Sequence, residues 1–183
     1  MQKIVLRYGL ASGAILVALT SVMLVLYKRR TDFDHSLVIG YSSMVLSFLL
    51  VFFGVRSYRD TVAAGAIGFG KAFQVGLLIS LITCVMYVLA WEIAYFNFFP
   101  DFLDQYSAHV LAKMRATGAS EAAIRETSAK LADLAKHYTN PFYNSAVTFM
   151  EVFPVGLIVT LVSAAILRRK PRPDAPASAV AAV

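Results

Sequence analysis

The sequence predicts an all-α fold: a bundle of four transmembrane helices, with an extracytoplasmic helical hairpin between helices three and four. Three observations predict it: a composition that is 58% hydrophobic and 15% charged, four long apolar runs, and positive residues that flank those runs. Water-soluble domains contain about 45–50% apolar and about 25% charged residues. The 183 residues therefore have the composition of a membrane protein, and they suffice for one compact domain.

Each of the four apolar runs is long enough for one membrane span. The predicted spans cover residues 8–27, 37–55, 72–96 and 142–167. A helix needs roughly 20 apolar residues to cross a hydrocarbon core of about 30 Å. The first run ends in "YKRR" and lacks a small-residue cleavage site, so we expect an uncleaved helix rather than a signal peptide. Residues 1–170 are predicted to form a single membrane domain, followed by a disordered cytoplasmic tail at 171–183.

The positive residues predict which side of the membrane holds the two ends of the chain. More Lys and Arg residues flank the spans on the side of the termini than in the short first loop on the other side, which contains Lys28, Arg29 and Arg30. Because positive residues favour the cytoplasmic face, both termini are predicted to be cytoplasmic. The "KRR" in the outer loop runs against this rule, although Asp32 and Asp34 partly neutralise it.

Several charges at the predicted inner face are candidates for contact with lipid headgroups. Arg56 and Asp60 are four residues apart and can pair along one helix face. Membrane orientation and anionic lipid explain these charges, and a ligand-binding role is the alternative. The candidate residues at this face are Arg56, Arg59, Lys71, Arg168 and Arg169.

The connector at 101–140 is predicted to fold outside the membrane as two antiparallel helices. Apolar residues recur there at helical spacing in two stripes, which are Phe102, Tyr106, Val110 and Met114, and then Ile124, Leu131, Leu134 and Tyr138. Gly118 is a predicted helix stop and Ser120 a predicted N-cap. Asn140 and Pro141 are predicted to cap and begin the last span.

Two acids, Glu92 and Glu151, interrupt the apolar runs and define the candidate site. Glu151 is predicted near the membrane midplane, about 14 Å from the start of its span at about 1.5 Å per residue. Asn144, Thr148 and Glu151 share one face of the last helix, because they are spaced by four and three residues. Glu92 is expected at a similar depth on the neighbouring span and is predicted to face them. Pro154 is predicted to kink the helix beside Glu151.

An acid inside the membrane costs roughly 2.5–3.5 kcal/mol, so Glu151 needs a partner, water or a proton. One interpretation is a neutral Glu151 that hydrogen-bonds to Ser80, Tyr87 or Glu92. The other interpretation is a small-cation or proton site that opens to the outside. Catalysis is not predicted, because no nucleophile, histidine or metal ligand accompanies these carboxylates. No cofactor, metal or nucleic-acid partner is expected.

Small residues recur at four-residue steps along three of the spans. They are Gly9 and Gly13 in the first, Ala72, Gly76, Ser80 and Cys84 in the third, and Gly156, Thr160 and Ala164 in the fourth. Small residues let helix backbones approach closely within a membrane. These stripes are predicted to close the bundle, and a homodimer face is the alternative.

Several motifs together resemble one known family. They are "KIVLRYGLASGAI", "GYSSMVLSFLLVFFGVRSYRD", "GFGKAFQVGLLISLI", "YFNFFPDFLDQY" and "NPFYNSAVTFMEVFPVGLIVTLVSAAILRRK". From about Lys3 to Lys170 the chain is similar to a bacterial family of small integral membrane proteins, the domain of unknown function 4199. The resemblance implies a four-helix protein of the bacterial plasma membrane, and it assigns no substrate, partner or catalytic residue.

The sequence favours a non-enzymatic membrane protein that acts through interaction or assembly. Its expected partners are the lipid bilayer and either a second copy of the chain or another membrane protein. The alternative is a transporter or channel-like component for a small ion or solute, which uses Glu151 and Glu92.

Overall fold

A computed structural model describes residues 1–30 and 36–169 of the chain. The described residues form six helices and no strand, which confirms the predicted all-α class. The helices are α1 (Gln2–Arg30), α2 (Ser36–Thr61), α3 (Phe69–Phe98), α4 (Phe102–Ala116), α5 (Glu121–Tyr138) and α6 (Pro141–Leu167). The predicted disordered tail at 171–183 lies outside the described residues.

Four of the helices are long and apolar enough to cross a membrane, as the sequence predicts. The candidate spans are Gln2–Leu26, Val38–Thr61, Phe69–Phe98 and Pro141–Leu167. They are longer than the apolar runs because charged residues at the ends of a run, such as Lys3 and Arg59, continue the helix. A helix satisfies its own backbone hydrogen bonds both inside and outside the hydrocarbon core. It can therefore continue past the core, where its side chains become polar or charged.

The four spans form a bundle with α2 and α3 at its centre. These two helices pack against each other, and both also pack against α1 and α6, which lie on opposite sides of the pair. The α2–α3 connection meets the end of α6, because Ile67 and Arg169 exchange backbone hydrogen bonds of 3.1 and 2.9 Å. We call this end of the bundle, which also holds the N-terminus, the terminal end, and the opposite end the hairpin end.

Charged side chains gather at the terminal end, where the sequence places them. Asp60 accepts a hydrogen bond of 2.7 Å from Arg59 Nε and lies 3.6 Å from Arg56 Nε. The pairing of Arg56 with Asp60 is thus confirmed, and Arg59 joins it. Lys71 lies in the first turn of α3 and Arg168 directly follows α6, so both belong to the same end of the bundle.

The bundle is close-packed from the terminal end up to Phe48, and we call this part the terminal half. A Cβ atom added to Gly156 would lie 2.8 Å from Cε1 of Phe48, and one added to Gly76 would lie 2.9 Å from Cγ2 of Thr160. Gly9 and Gly13 meet side chains of α3 in the same way. The small-residue stripes therefore pack helices of one chain together, as the favoured prediction has it.

The hairpin is built from the sequence signals that predict it. Gly118 adopts a φ of +74°, which L side chains rarely take, and so ends α4. Ser120 Oγ accepts a hydrogen bond of 3.2 Å from the Ala123 N–H and caps α5. Asn140 Oδ1 accepts one of 2.9 Å from the Phe142 N–H at the start of α6. The predicted turn and both N-caps are confirmed.

Aromatic rings join the hairpin to the spans. Tyr95 packs edge-on against Tyr138 with ring centroids 5.2 Å apart, and Trp91 packs against Phe102 at the same distance. Tyr95 is only 5% exposed. The rings of Trp91 and Tyr95 face the hairpin because α4 and α5 cover that side of α3. Other aromatic residues at the hairpin end, such as Phe98 and Phe142, are exposed.

Candidate functional site

A cavity of about 320 Å³ lies inside the bundle beneath the hairpin. All four spans line it, and α4 and α5 cover it at the hairpin end. We call this part of the bundle, from Met44 outward, the hairpin half. Six aromatic residues contribute to the lining: Tyr41, Tyr87, Trp91, Phe102, Tyr106 and Tyr138.

The cavity begins where large side chains stop filling the centre of the bundle. Along α2, Phe48 and Val51 are fully buried against α3 and α6. One turn further on, Met44 lines the cavity, and the next turn brings Gly40, which has no side chain. A Cβ atom at Gly40 would find no other atom within 4 Å, so the space there is open.

A chain of hydrogen bonds runs along one wall of the cavity. Trp91 Nε1 donates to Tyr138 Oη at 3.2 Å, and Tyr138 Oη lies 3.4 Å from Thr148 Oγ1. Thr148 Oγ1 in turn donates to Asn144 Oδ1 at 3.3 Å. Because Thr148 has a single hydroxyl proton, which goes to Asn144, the proton between the two hydroxyls must come from Tyr138. The order of donation is therefore Trp91, Tyr138, Thr148, Asn144.

This chain anchors the hairpin on α6. Asn144 Nδ2 donates to the backbone carbonyl of Tyr138 at 3.5 Å, in addition to the side-chain bonds. Burial raises the pKa of Tyr138 above the usual value of a phenol, so its hydroxyl keeps the proton that it donates. Asn144 and Thr148, both predicted as site residues, are thus buried members of the hairpin joint, and Thr148 also lines the cavity.

Glu151 lines the cavity without a hydrogen bond from any residue that the structure describes. The predicted partners are engaged or placed elsewhere. Ser80 pairs with Thr160 Oγ1 at 2.9 Å and with the Gly156 carbonyl at 3.3 Å. Tyr87 lines the same cavity but forms no hydrogen bond with Glu151. The interpretation of Glu151 as an acid satisfied by an interhelical hydrogen bond therefore needs correction.

Glu92 is the acid with an interhelical partner. Its Oε1 accepts a hydrogen bond of 2.9 Å from Ser145 Oγ on α6. Ser145 and Glu151 are six residues apart, so they point about 120° apart around the helix. Glu92 is accordingly absent from the described cavity lining. The two acids therefore lie in separate environments, and Glu92 does not pair with Glu151 as predicted.

Several cavity residues cannot be recognised as site residues from a single sequence. Thr20 and Tyr41 belong to the first two spans and look like isolated polar residues in apolar helices. Leu103 belongs to the hairpin, one position after the first residue of the predicted stripe, and is buried against Tyr95 and Tyr138. Counting residues along the spans places Thr20 at about the same membrane depth as Glu151. It does not show that both side chains face the cavity, because packing sets the rotation of each helix.

Comparison with known families gives one match. The model of a family described as "Protein of unknown function (DUF4199)" matches residues 7–169. The chain belongs to this family. Comparisons of the DUF4199 chain with curated proteins and with solved structures find no match.

The family description assigns no activity, so the residues of the cavity are what indicate the kind of site in this DUF4199 protein. Small-molecule sites have volumes of about 300–1,000 Å³, are mostly apolar and contain a few polar groups that orient the ligand. The cavity matches this description in size and in lining. Among the described residues, no group of three His, Cys, Asp or Glu side chains could hold a metal ion.

Proposed function

We propose that this DUF4199 protein is a multi-pass protein of the bacterial plasma membrane that binds a small solute in the cavity beneath its hairpin. One observation carries the proposal: the Glu151 carboxylate faces a cavity of about 320 Å³ and receives no hydrogen bond from the described residues. An acid in a membrane bundle needs a partner, water or a proton. A bound solute is the partner that we propose, because Glu151 is an exposed residue that lines the cavity.

Solute binding fits the transporter or channel-like component, which is the alternative function predicted from the sequence. The glycines of the small-residue stripes contact helices of the same chain, so these stripes do not support a homodimer face. Gly13, for example, would bring a Cβ atom to 2.5 Å from Sδ of Met86. A role in assembly stays a prediction, as do contact with a second copy and the absence of enzymatic activity.

We also propose that the terminal end faces the cytoplasm and the hairpin faces outward. The basic residues of the terminal end, including Arg56 and Arg168, support this orientation through the preference of positive charge for the inner face. Ala122, an exposed residue of α5, offers a test. Ala122→Cys should react with a membrane-impermeant thiol reagent on intact cells, because the native Cys84 is buried. Reaction only after lysis contradicts the orientation.

Solute binding can be followed through Cys84, which is the single cysteine of the chain and is fully buried. A fluorogenic maleimide reports its exposure on thermal unfolding of the purified protein in detergent. We suggest three probes of similar shape: choline, 3,3-dimethylbutan-1-ol and 3,3-dimethylbutanoate. At least one of them should raise the unfolding temperature in a saturable way, since a ligand of the native state stabilises it.

Two valine substitutions on α6 separate cavity binding from other effects. Val147 lines the cavity, whereas Val162 is 52% exposed on the outside of the bundle. Val147→Phe should fill the cavity and abolish the stabilisation, and Val162→Phe should preserve it. The proposed function is contradicted if no probe stabilises the native protein, or if Val147→Phe responds as strongly as Val162→Phe.

A further inference from the structure

We infer that the solute is a small organic cation of the ammonium class, held by the Glu151 carboxylate among the aromatic rings of the cavity. The inference rests on the proposed function and names the chemical class of its ligand. Three properties of the described lining carry it: the charge, the rings, and the direction of the hydrogen bonds.

The described lining is negative when the Glu151 carboxylate is ionised. Glu151 is its single ionisable carboxylate, and the described lining contains no Lys, Arg or His that could neutralise it. An anionic solute would be repelled by this carboxylate within a low-dielectric bundle, where charges interact strongly. A solute with one positive charge would neutralise it and satisfy its oxygen atoms.

The aromatic rings favour an organic cation over a metal ion. A ring attracts a cation that lies over its face within about 6 Å of the centroid, and quaternary ammonium groups are typically recognised in this way. Tyr41, Tyr87 and Trp91 come from two different spans and contribute rings to one cavity. Hard metal cations such as Ca²⁺ instead require about six to eight oxygen ligands, and Glu151 supplies two oxygen atoms.

The hydrogen bonds along one wall of the cavity engage the polar protons of Trp91, Tyr138 and Thr148 with one another. The hydroxyl proton of Tyr138 goes to Thr148, and the hydroxyl proton of Thr148 goes to Asn144. The indole proton of Trp91 goes to Tyr138. A carboxylate or phosphate solute would therefore find none of these three protons free. An ammonium group needs no donor from the protein, because a carboxylate and ring faces are enough to bind it.

The three probes distinguish the ligand class because they differ mainly in charge. Choline is cationic, 3,3-dimethylbutan-1-ol is its neutral isostere, and 3,3-dimethylbutanoate is an anion. Choline should raise the unfolding temperature by about 3–6 °C at ten times its Kd. The alcohol should bind about tenfold more weakly, and the carboxylate should give no shift.

Glu151→Gln tests the residue that the inference depends on. This variant should weaken choline binding about tenfold or more and leave binding of the alcohol nearly unchanged. Tyr41→Leu provides a second test at a ring that is 48% exposed and therefore easy to replace. It should weaken choline binding severalfold, with a smaller effect on the alcohol.

The possible outcomes separate the inference from the proposed function. If the alcohol or the carboxylate stabilises the protein as well as choline does, and Val147→Phe abolishes the effect, the cavity binds solutes but the cation class is wrong. If choline binds equally well to the native protein and to Glu151→Gln, the inference is also wrong. If no probe binds, both the inference and the proposed function fail.

Discussion

The two halves of the bundle use the same four helices in different ways. In the terminal half, glycines and other small residues bring the helices together, and Phe48, Val51 and Val55 fill the centre with no exposed surface. In the hairpin half, the same helices surround a cavity of about 320 Å³, and polar groups and rings line the space.

The bundle therefore concentrates its packing at one end and leaves a cavity at the other end. Without a hydrophobic drive between helices in lipid, close contact of small residues is what holds a membrane bundle together. The terminal half supplies this contact through the pairs of α3 with α6 and of α1 with α3. The hairpin half then needs only its hydrogen-bond chain and its aromatic joint to keep the cavity covered.

The largest effect is expected from one methyl group added to each half in turn. Gly156→Ala places a Cβ atom 2.8 Å from a ring carbon of Phe48, which is fully buried and cannot move aside. We expect a loss of about 1–3 kcal/mol in the free energy of unfolding. Gly40→Ala meets no atom within 4 Å and should gain up to about 1 kcal/mol from the higher helix propensity of alanine.

Unfolding in detergent, followed through exposure of Cys84, measures both glycine variants on one scale. If Gly40→Ala destabilises the protein as much as Gly156→Ala does, the hairpin half is as tightly packed as the terminal half. The comparison between the halves would then be wrong.

A second matched pair removes the same side chain at two positions of α1. Leu16 is 1% exposed in the packed core, and Leu24 lies two turns further on at the cavity wall. Leu16→Ala should lower the unfolding free energy by about 2 kcal/mol, because it opens a void in a filled region. Leu24→Ala should lower it by about 1 kcal/mol or less, since it enlarges a space that already exists. Equal losses contradict the contrast.

A smaller effect is expected from the hydrogen-bond chain that joins the hairpin to α6. Tyr138→Phe removes the hydroxyl that accepts from Trp91 and donates to Thr148, so one partly buried and one buried polar group lose a partner. We expect a loss of about 1–2 kcal/mol. Tyr143→Phe, at a residue that is 39% exposed, is the control and should change the unfolding free energy little. A neutral Tyr138→Phe would show that the aromatic packing alone holds the hairpin.

Much of the fold can be predicted from the sequence because its signals are local. Apolar runs locate the spans, Gly118 and Ser120 locate the hairpin turn, and Asn140 locates the start of α6. These signals depend on the chemistry of a few neighbouring residues, which a single sequence contains. The span ends differ by a few residues, since a helix does not stop where its hydrophobicity does.

The candidate site is less predictable because it depends on how each helix is rotated about its axis. Asn144, Thr148 and Glu151 lie on one helix, so their shared face follows from spacing, and Thr148 and Glu151 do line one cavity. The position of Glu92 depends instead on how α3 turns toward α6. A rotation that directs Glu92 at Ser145 separates it from Glu151, and no local pattern encodes this choice.

The smallest effect is expected from replacing Glu92 or Glu151 in the absence of any added probe. Glu92→Gln replaces a carboxylate that accepts a hydrogen bond of 2.9 Å from Ser145, so the bond loses its charge assistance. We expect a loss of about 0.5–1 kcal/mol in the free energy of unfolding. Glu151→Gln removes a carboxylate that no described residue binds, and it also relieves the cost of holding a charge in the bundle. Its unfolding free energy should be unchanged or slightly higher.

Both substitutions are isosteric. The difference between the unfolding free energies of the two variants at neutral pH, measured through exposure of Cys84, therefore reports whether each acid has a partner. A clear loss for Glu151→Gln would mean that its carboxylate already has a partner within the protein, and the reason to seek a bound cation would disappear.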